Sequence, residues 1–185
     1  DDKAIYLPIA HEGGGNMPRD TVIAYVKDVL AVKNRWVVGA NLSYEHEGLA
    51  SLGIKIAGRC LDVQVIEALI NEDAPSNSLD NLCLRYLDRG KEETLLKEAA
   101  SAYGVDPKGG LWQLPPKYVG AYAEYDAACC LKILDKQMAI VQEQCLTQVL
   151  ELEMKLLPIL WLMRQRGIPM NLERANALRE KLTVQ

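Results

Sequence analysis

Trp36-Val37-Val38-Gly39-Ala40 identifies the fold class of this 185-residue chain. The run is short and continuously apolar, which is typical of a strand buried on both faces of a parallel sheet. Residues 41–52 follow it with helical composition, and Cys60-Leu61-Asp62 predicts a second short strand that leads into a helix over 63–71. This alternation predicts an α/β fold, in which a small mixed sheet is flanked by helices.

The rest of the chain adds one further strand and a series of helices. Residues 4–10 predict the strand, in which Pro8 favours an edge position or a bulge. Gly13-Gly14-Gly15-Asn16 predicts a loop, because it lacks the strand-then-helix setting and the Lys-Ser/Thr ending of a phosphate-binding loop. Helices are predicted after Pro18, over 79–87 with Ser78 as the cap, over 91–103, over 116–140, over 144–166 with a stop at Gly167, and over 172–182.

Composition excludes several classes of protein. With 49% hydrophobic and 25% charged residues the chain resembles an ordinary globular protein, and its net charge of −4 argues against a binder of bulk polyanions while allowing a locally basic groove. The five cysteines include no Cys-x-x-Cys pair and are expected to be buried small hydrophobes in a reducing compartment. Two histidines exclude a histidine-rich metal centre. The longest apolar stretch, 156–163, is interrupted by Pro158 and is too short to span a bilayer.

Tyr122 and Asp126 form the first candidate for chemistry. They lie four residues apart in the segment 120–134, whose helical composition places the phenol and the carboxylate on one face. A phenol beside a carboxylate suits the positioning of a metal-bound water, because the acid binds the cation and the hydroxyl steers the nucleophile. The alternative is a surface aspartate beside a half-buried tyrosine.

Glu45 is the second candidate. It follows the buried strand within the first turn of a helix, at the carboxyl edge of the sheet, where α/β sheets bind ligands. A carboxylate there could hold a metal while Asn41 hydrogen-bonds a substrate. The alternative is an acid that only complements the helix dipole. His46 points away from Glu45 on a helix and is interpreted as a surface or packing residue.

The order of these segments resembles the 3′–5′ exonuclease (proofreading) domain of family A DNA polymerases, the bacterial polymerase I type, and is most similar to the phage replicative enzymes. The resemblance covers nearly the whole chain. It rests on Tyr6-Leu-Pro-Ile-Ala-His11, on Val38-Gly-Ala-Asn-Leu-Ser-Tyr-Glu45 as the second exonuclease motif, on Cys60-Leu-Asp62 with Ser78-Leu-Asp-Asn-Leu82, on Tyr122-Ala-Glu-Tyr-Asp126 as the third motif, and on Met163-Arg-Gln-Arg-Gly-Ile-Pro-Met-Asn171 as the crossover into the polymerase domain.

The resemblance implies a ribonuclease H-like exonuclease fold. Residues 1–140 would be a partial exonuclease-like domain without its first strands, and 141–185 a helical connection into the polymerase domain. The reaction would be two-metal hydrolysis of the 3′-terminal phosphodiester with Mg²⁺ or Mn²⁺, since the ligands are hard oxygens. The implied roles are metal ligation by Asp126 and Glu45, positioning of the attacking water by Tyr122, and substrate binding by Asn41 and Tyr44.

Other residues near these motifs are weaker candidates for contacts with a DNA strand. Tyr125 and the segment 108–118 are candidates for base stacking, although Trp112 and Tyr118 fit core packing better. Lys117 and Arg85 could meet phosphates or simply be solvated. The Leu and Met residues of 146–163 are predicted to pack.

Two departures from the family pattern bear on activity. The family's opening Asp-x-Glu does not occur before Ala4, and the start at Asp1-Asp2-Lys3 is interpreted as an N-terminal truncation. Glu45 also stands where the family has Asp, and a displacement of about an ångström can cost roughly 10²-fold in rate. We therefore predict that this chain alone has little or no nuclease activity.

The expected partners are the single-stranded 3′ end of DNA and the remainder of a polymerase chain, with no membrane, in the cytoplasm of a bacterium or a phage-infected host. One alternative is a catalytically vestigial module of a family A polymerase that serves structure or DNA binding, which Glu45 favours. Another is an independent ribonuclease of the same superfamily, which the segment 167–171 disfavours.

Overall fold

The structure is a computed structural model that describes residues 3–90 and 93–183. In this part of the chain, strands and helices alternate first and helices follow to the end. The elements are α1 (Arg19–Leu30), β1 (Trp36–Gly39), α2 (Leu42–Ser51), β2 (Arg59–Asp62), α3 (Val63–Ile70), α4 (Leu79–Leu87), α5 (Thr94–Tyr103), a 3₁₀ turn (Leu111–Gln113), α6 (Pro116–Glu143), α7 (Thr147–Arg166) and α8 (Leu172–Thr183). The predicted helix start at Lys91 and the interpretation of Asp1 and Asp2 lie outside the described residues.

The two strands are parallel neighbours. Trp36 pairs with Arg59 at one end of the ladder and Gly39 with Asp62 at the other. Both predicted strands are therefore confirmed, and so is the α/β class. The expectation of a mixed sheet is wrong for the described residues, because their sheet contains these two parallel strands and no antiparallel one.

The strand predicted over residues 4–10 is wrong as well. This segment runs without strand pairing in the described structure, and side chains hold it in place. The backbone N–H of Tyr6 donates to Glu124 Oε1 on α6 at 3.0 Å, and Met17 N–H donates to the Pro8 carbonyl at 2.8 Å. Apolar composition can favour an extended conformation, but a strand also requires a neighbouring strand to share its hydrogen bonds.

Helices cover both faces of β1. Val38 packs against the cluster around Cys129 and Cys130 on α6, whereas Val37 packs against the cluster that holds Leu157 and Trp161 of α7. The alternation of side chains along a strand explains the two directions. Packing on both faces is thus confirmed for the middle of the run, where Val37 and Val38 are partly buried, but Trp36, at its start, remains 53% exposed.

The long helix α6 is the centre of the molecule. Its buried residues recur every three to four positions and form a stripe that contacts β1, α3, α4 and α5. The stripe includes Cys129, Cys130, Ile133, Gln137 and Val141. Because Tyr122 and Asp126 precede this stripe on the same helix, the core packing of α6 also fixes their position.

A buried ionic network joins α3, α4 and α6. Glu67 is completely buried, and its two carboxylate oxygens accept hydrogen bonds from three side chains. Arg85 forms an ion pair with Oε1, the Tyr86 hydroxyl donates to Oε2 at 2.6 Å, and Gln137 Nε2 donates to Oε2 at 2.9 Å. Arg85, a candidate for phosphate binding, is thus occupied by Glu67.

Short polar side chains cap the starts of several helices, as such residues usually do. Ser78 Oγ accepts from the backbone N–H of Asn81 at 3.4 Å at the start of α4, which confirms the predicted cap. Asp62 caps α3 by accepting from the N–H of Gln64 at 2.9 Å. Gly167 ends α7 with φ +67°, a conformation that suits glycine.

The last two helices are only partly covered. Leu150, Leu157 and Trp161 of α7 are buried, which confirms packing for those positions. The prediction is wrong for other Leu and Met residues of the same helix, which are exposed: Leu152, Leu156, Leu160, Leu162 and Met163. Helix α8 has no buried residue. Within the described chain, no helix combines the length and the hydropathy needed to cross a membrane.

The cysteines are free thiols, and four of the five are buried as predicted. The exception is Cys145, which is exposed in the connection between α6 and α7, where its φ is +57°. This tight connection turns the side chain away from the core, so the prediction of burial is wrong at this position.

We expect Cys145 to be the one thiol that reacts rapidly with a disulfide reagent in the folded protein. Burial and the nearby Asp62 raise the pKa of the Cys60 thiol to about 11, and burial with nearby acids raises that of Cys130 to about 12. These protonated, enclosed thiols should react only after unfolding. Thiol titration near pH 8 with and without guanidinium checks this, and a Cys145→Ser variant that still gives a fast-reacting thiol would contradict it.

Candidate functional site

The candidate site lies at the carboxyl edge of the two-stranded sheet. β1 ends at Gly39 and is followed by Asn41, whose φ and ψ of 62° and 52° turn the chain sharply into α2. Asparagine is one of the few residues that adopt this left-handed conformation readily. The turn places Glu45 in the first turn of α2, as predicted.

Asp62 organises this edge by binding three backbone N–H groups. Its Oδ1 accepts from Asn41 at 3.2 Å and from Gln64 at 2.9 Å, and its Oδ2 accepts from Leu42 at 2.8 Å. One buried carboxylate therefore joins the start of α2 to the start of α3. Sequence reasoning gave Asp62 no such role, although an aspartate between a strand and a helix is a common N-cap signal.

Three carboxylates lie near enough to the buried thiol of Cys130 to influence its pKa. The pKa of this thiol is raised to about 12, and burial is the largest cause. Smaller contributions come, in decreasing order, from Asp126, Cys129, Glu45 and Asp62. A negative charge near a thiol disfavours the thiolate and so raises the pKa of the thiol. Asp126 of α6, Glu45 of α2 and Asp62 of β2 therefore lie in the electrostatic neighbourhood of one thiol.

Glu45 itself lies in a partly desolvated position. Crowding around its carboxylate raises its pKa, a hydrogen bond to its own backbone amide opposes the shift, and the charge of Asp62 adds to it. The residue is exposed overall, so the carboxylate remains accessible from solvent. A raised pKa means that the charged form is under-stabilised here, and a bound cation would relieve that.

Tyr122 and Asp126 lie one turn apart on α6, and both are half-buried. The Oδ1 atom of Asp126 is buried. Tyr122 packs against the cluster that contains Leu96 and Leu114, together with Tyr6 from the N-terminal segment. The predicted helical step is confirmed, and the phenol and the carboxylate start on one face of the helix.

The N-terminal segment is fastened beside Tyr122 by a histidine. The Leu114 carbonyl accepts from Nδ1–H of His11 at 2.6 Å, so Nε2 accepts from the Tyr6 hydroxyl at 2.5 Å. Asn16 holds the His11 backbone through bonds of 2.7 Å to its N–H and its carbonyl. His11 is buried and acts as a positioning residue, a role that sequence reasoning missed.

The predicted substrate residues are accessible at the same edge. Tyr44 is 76% exposed, and Asn41 is exposed with a side chain that makes no capping hydrogen bond. His46 stacks on Trp161 with ring centroids 4.3 Å apart, which confirms a packing role.

The weaker candidates are scattered around other parts of the surface. Trp112 is half-exposed rather than in the core, whereas Tyr118 packs in the core with Lys117 above its ring, 4.7 Å from the centroid. Tyr125 lies in a cleft on another side of α6 with Arg89 and Lys132. These positions do not extend the carboxylate edge.

Carboxylate oxygens are suitable ligands for Mg²⁺ or Mn²⁺, so Glu45 and Asp126 have the right donor chemistry. Asp62 lies nearby, but backbone N–H groups occupy both of its oxygens. Among residues 3–90 and 93–183 no group of three or more His, Cys, Asp or Glu side chains is arranged to hold a metal. The described residues therefore fit part of a metal site and do not complete a two-metal centre.

Comparison with known proteins gives relatives but no matching protein-family model. A protein of Pseudomonas phage M6 named DNA-directed DNA polymerase is 43% identical over 175 residues, which are 94% of this chain and 26% of that protein. The DNA polymerase DpoZ of Acinetobacter phage SH-Ab 15497 is 27% identical over 186 residues, covering 97% of this chain and 30% of DpoZ. DNA polymerase I of Pseudomonas aeruginosa is 27% identical over 177 residues, covering 89% and 18% respectively.

The chain spans less than a third of the length of each of these relatives. The matched region, by contrast, covers 89% or more of this sequence in each of the three cases. The chain is therefore similar, over almost its whole length, to one segment of proteins named DNA polymerase.

Proposed function

We propose that this chain is the proofreading 3′–5′ exonuclease segment of a family A DNA polymerase, acting on the single-stranded 3′ end of DNA in the cytoplasm of a bacterium or phage-infected cell. The observation that carries the proposal is that Asp126 and Glu45 both lie near enough to Cys130 for their charges to raise the pKa of its thiol. These residues come from the two motifs that resemble the exonuclease family, and they lie 81 positions apart in the sequence. The similarity to DNA polymerases supports the same interpretation.

Each site residue has a role in this proposal. Asp126 and Glu45 would hold Mg²⁺ or Mn²⁺ together with ligands from outside this sequence, and the metal would supply positive charge at the scissile phosphate. Tyr122, one turn from Asp126, orients the attacking water through its hydroxyl. Tyr44 offers an exposed ring for a terminal base, and Asn41 offers an amide for hydrogen bonding.

The architecture of the parent protein forms part of the proposal. Residues 1–140 belong to a ribonuclease H-like exonuclease domain, and 141–185 connect it to the polymerase domain. The exposed apolar side chains of α7 and α8, such as Ile159 and Leu178, and of Ile168 between the two helices, would be covered by the remainder of the polymerase chain.

A second candidate is a vestigial exonuclease-like module that supports the polymerase without hydrolysing DNA. The longer side chain of Glu45 favours it, and so does Asp62, the nearby third carboxylate, whose oxygens bind backbone N–H groups. In this case the carboxylate edge would have a structural role only.

The test uses the full-length protein and single-stranded DNA labelled so that loss of the 3′ nucleotide is seen. We expect shortening that requires Mg²⁺ or Mn²⁺ and that slows by about 10²-fold or more in Asp126→Ala, because a metal ligand contributes several kcal/mol to the transition state. Asp135→Ala, at an exposed position of the same helix, is the matched control and should retain wild-type rates.

The outcomes separate the candidates. Equal rates for Asp126→Ala and wild type would refute the site assignment. A full-length protein with intact folding and no metal-dependent shortening would instead favour the vestigial module. For the 185-residue chain alone we expect little or no hydrolysis, and robust metal-dependent degradation by it would contradict that expectation.

A further inference from the structure

The end of the sheet opposite the carboxylates carries cations around an exposed tryptophan. β1 begins at Trp36 and β2 at Arg59, and the two residues pair directly. Because strands rise about 3.3 Å per residue, this end lies roughly 10 Å from the ends that lead to Asn41 and Glu45. This basic edge consists of Lys33, Arg35, Trp36, Lys55 and Arg59.

Backbone contacts hold the two segments of the basic edge together. Arg59 N–H donates to the Arg35 carbonyl at 3.0 Å, and Ala57 N–H donates to the Leu30 carbonyl at 2.9 Å. A Cβ atom at Gly58 would lie only 2.2 Å from the Arg35 carbonyl oxygen, so glycine is needed for this close approach. Arg59 therefore projects from β2 itself, and backbone hydrogen bonds tie the connections that carry the other cations to one another and to the sheet.

The charge of this region opposes that of the chain as a whole. Residues 27–36 and 54–59 contain five cationic side chains and one acid, Asp28, whereas the chain has a net charge of −4. All five residues of the basic edge are exposed. Within the part of the chain that the structure describes, none of its four cations belongs to a salt bridge.

Trp36 gives the basic edge a stacking surface. The Arg59 guanidinium lies 5.4 Å from the centroid of the indole ring, and the side chain is nevertheless 53% exposed. The packing that partly buries Val37 and Val38 leaves Trp36 exposed. An accessible indole with neighbouring cations is the combination that binds single-stranded nucleic acid, because bases stack on the ring while Lys and Arg neutralise phosphates.

We propose that the basic edge binds single-stranded nucleic acid at a place separate from the carboxylate edge. Trp36 stacks on an unpaired base, and Lys33, Arg35, Lys55 and Arg59 contact the phosphates on either side of it. Binding at this edge needs neither a metal ion nor hydrolysis. The proposal thus goes beyond an exonuclease function and stands without it.

The test measures binding of a 5′-labelled oligothymidylate of about 12 nucleotides to the full-length protein by fluorescence anisotropy. EDTA prevents hydrolysis, and an unlabelled hairpin primer–template in excess occupies any duplex-binding cleft. The double variant Arg35→Glu, Arg59→Glu should lower the affinity at least about tenfold. The slope of log K against log salt concentration should also become shallower by about 0.7 for each phosphate that is no longer neutralised. Trp36→Ala should weaken it about 5- to 100-fold, whereas Trp36→Phe should retain most of the affinity.

A matched control separates local binding from overall charge. Lys155→Glu with Lys181→Glu changes the net charge equally at exposed positions of α7 and α8 and should leave affinity unchanged. Equal weakening in the control pair, or unchanged binding in the Arg35 and Arg59 variant or in Trp36→Ala, would overturn the proposal. Asp126→Ala should retain this binding, so the outcome is independent of the hydrolysis assay.

Discussion

Replacing Glu67 with alanine is expected to lower the free energy of unfolding by about 3–5 kcal/mol, because it removes the completely buried acceptor of a hydrogen-bonded network. The Tyr86 hydroxyl and Gln137 Nε2 would lose the oxygen to which both donate. Arg85 would be left as a partly buried cation without its carboxylate. Buried donors without acceptors are costly, since water cannot reach them to replace the missing bonds.

Urea-induced unfolding of the full-length protein, followed by circular dichroism, measures this change, with the transition of the segment assigned from amide hydrogen exchange within α3, α4 and α6. Glu67→Gln separates charge from shape, since the amide keeps the volume and one acceptor oxygen, and we expect a smaller decrease of about 1–3 kcal/mol. Glu98→Ala, at an exposed helical position, is the control and should change stability by less than about 0.5 kcal/mol. A Glu67→Ala protein as stable as Glu98→Ala would show that the network contributes nothing net.

Asp62→Ala is expected to lower the free energy of unfolding by about 3–4 kcal/mol, since three backbone N–H groups lose one shared acceptor. Two of these groups lie at the start of α2 and one at the start of α3, so the change removes a helix cap and a link between elements. The turn at Asn41 should loosen, and with it the position of Glu45. Asp62→Asn keeps one acceptor oxygen but turns its NH₂ group towards a backbone N–H. We therefore expect it to lower the free energy of unfolding by about 1–2 kcal/mol.

The measurement is again the free energy of unfolding, together with amide hydrogen exchange at Asn41, Leu42 and Gln64. Faster exchange at these amides in Asp62→Ala is the local signature of the missing cap. Asp20→Ala is the matched control, because Asp20 is an exposed acid in the first turn of α1, which has no side-chain cap bond. If Asp62→Ala and Asp20→Ala had equal small effects, the organising role of Asp62 would be refuted.

Features that depend on neighbouring residues in the chain could be predicted well. The helical step that joins Tyr122 to Asp126 follows from the 3.6-residue period, and the stop at Gly167 follows from a conformation that favours glycine. The cap at Ser78 and the position of Glu45 in a first helical turn are local in the same way. The two short strands could be identified because each is bounded by a turn and leads into a helix.

Features that depend on distant partners could not be predicted with the same success. Residues 4–10 have the composition of a strand, but strand formation needs a neighbouring strand, and Glu124 binds this segment instead. Cys145 has the same side chain as Cys129, and only the connection between α6 and α7 exposes it. The acceptor for Arg85, and the roles of Asp62 and His11, come from residues 18 to 103 positions away.

The sequence by itself determined the α/β alternation, the position of each candidate residue within its own helix, and the order of motifs that relates the chain to polymerases. Only the tertiary structure decided that Asp126 and Glu45 both act on the thiol of Cys130, that Asp62 binds backbone N–H groups, and that Trp36 lies exposed beside the Arg59 guanidinium. The physical reason is the range of the interactions: hydrogen bonds within a helix link residues three or four positions apart, whereas side-chain packing and electrostatics act between residues that the chain brings together from any distance in sequence.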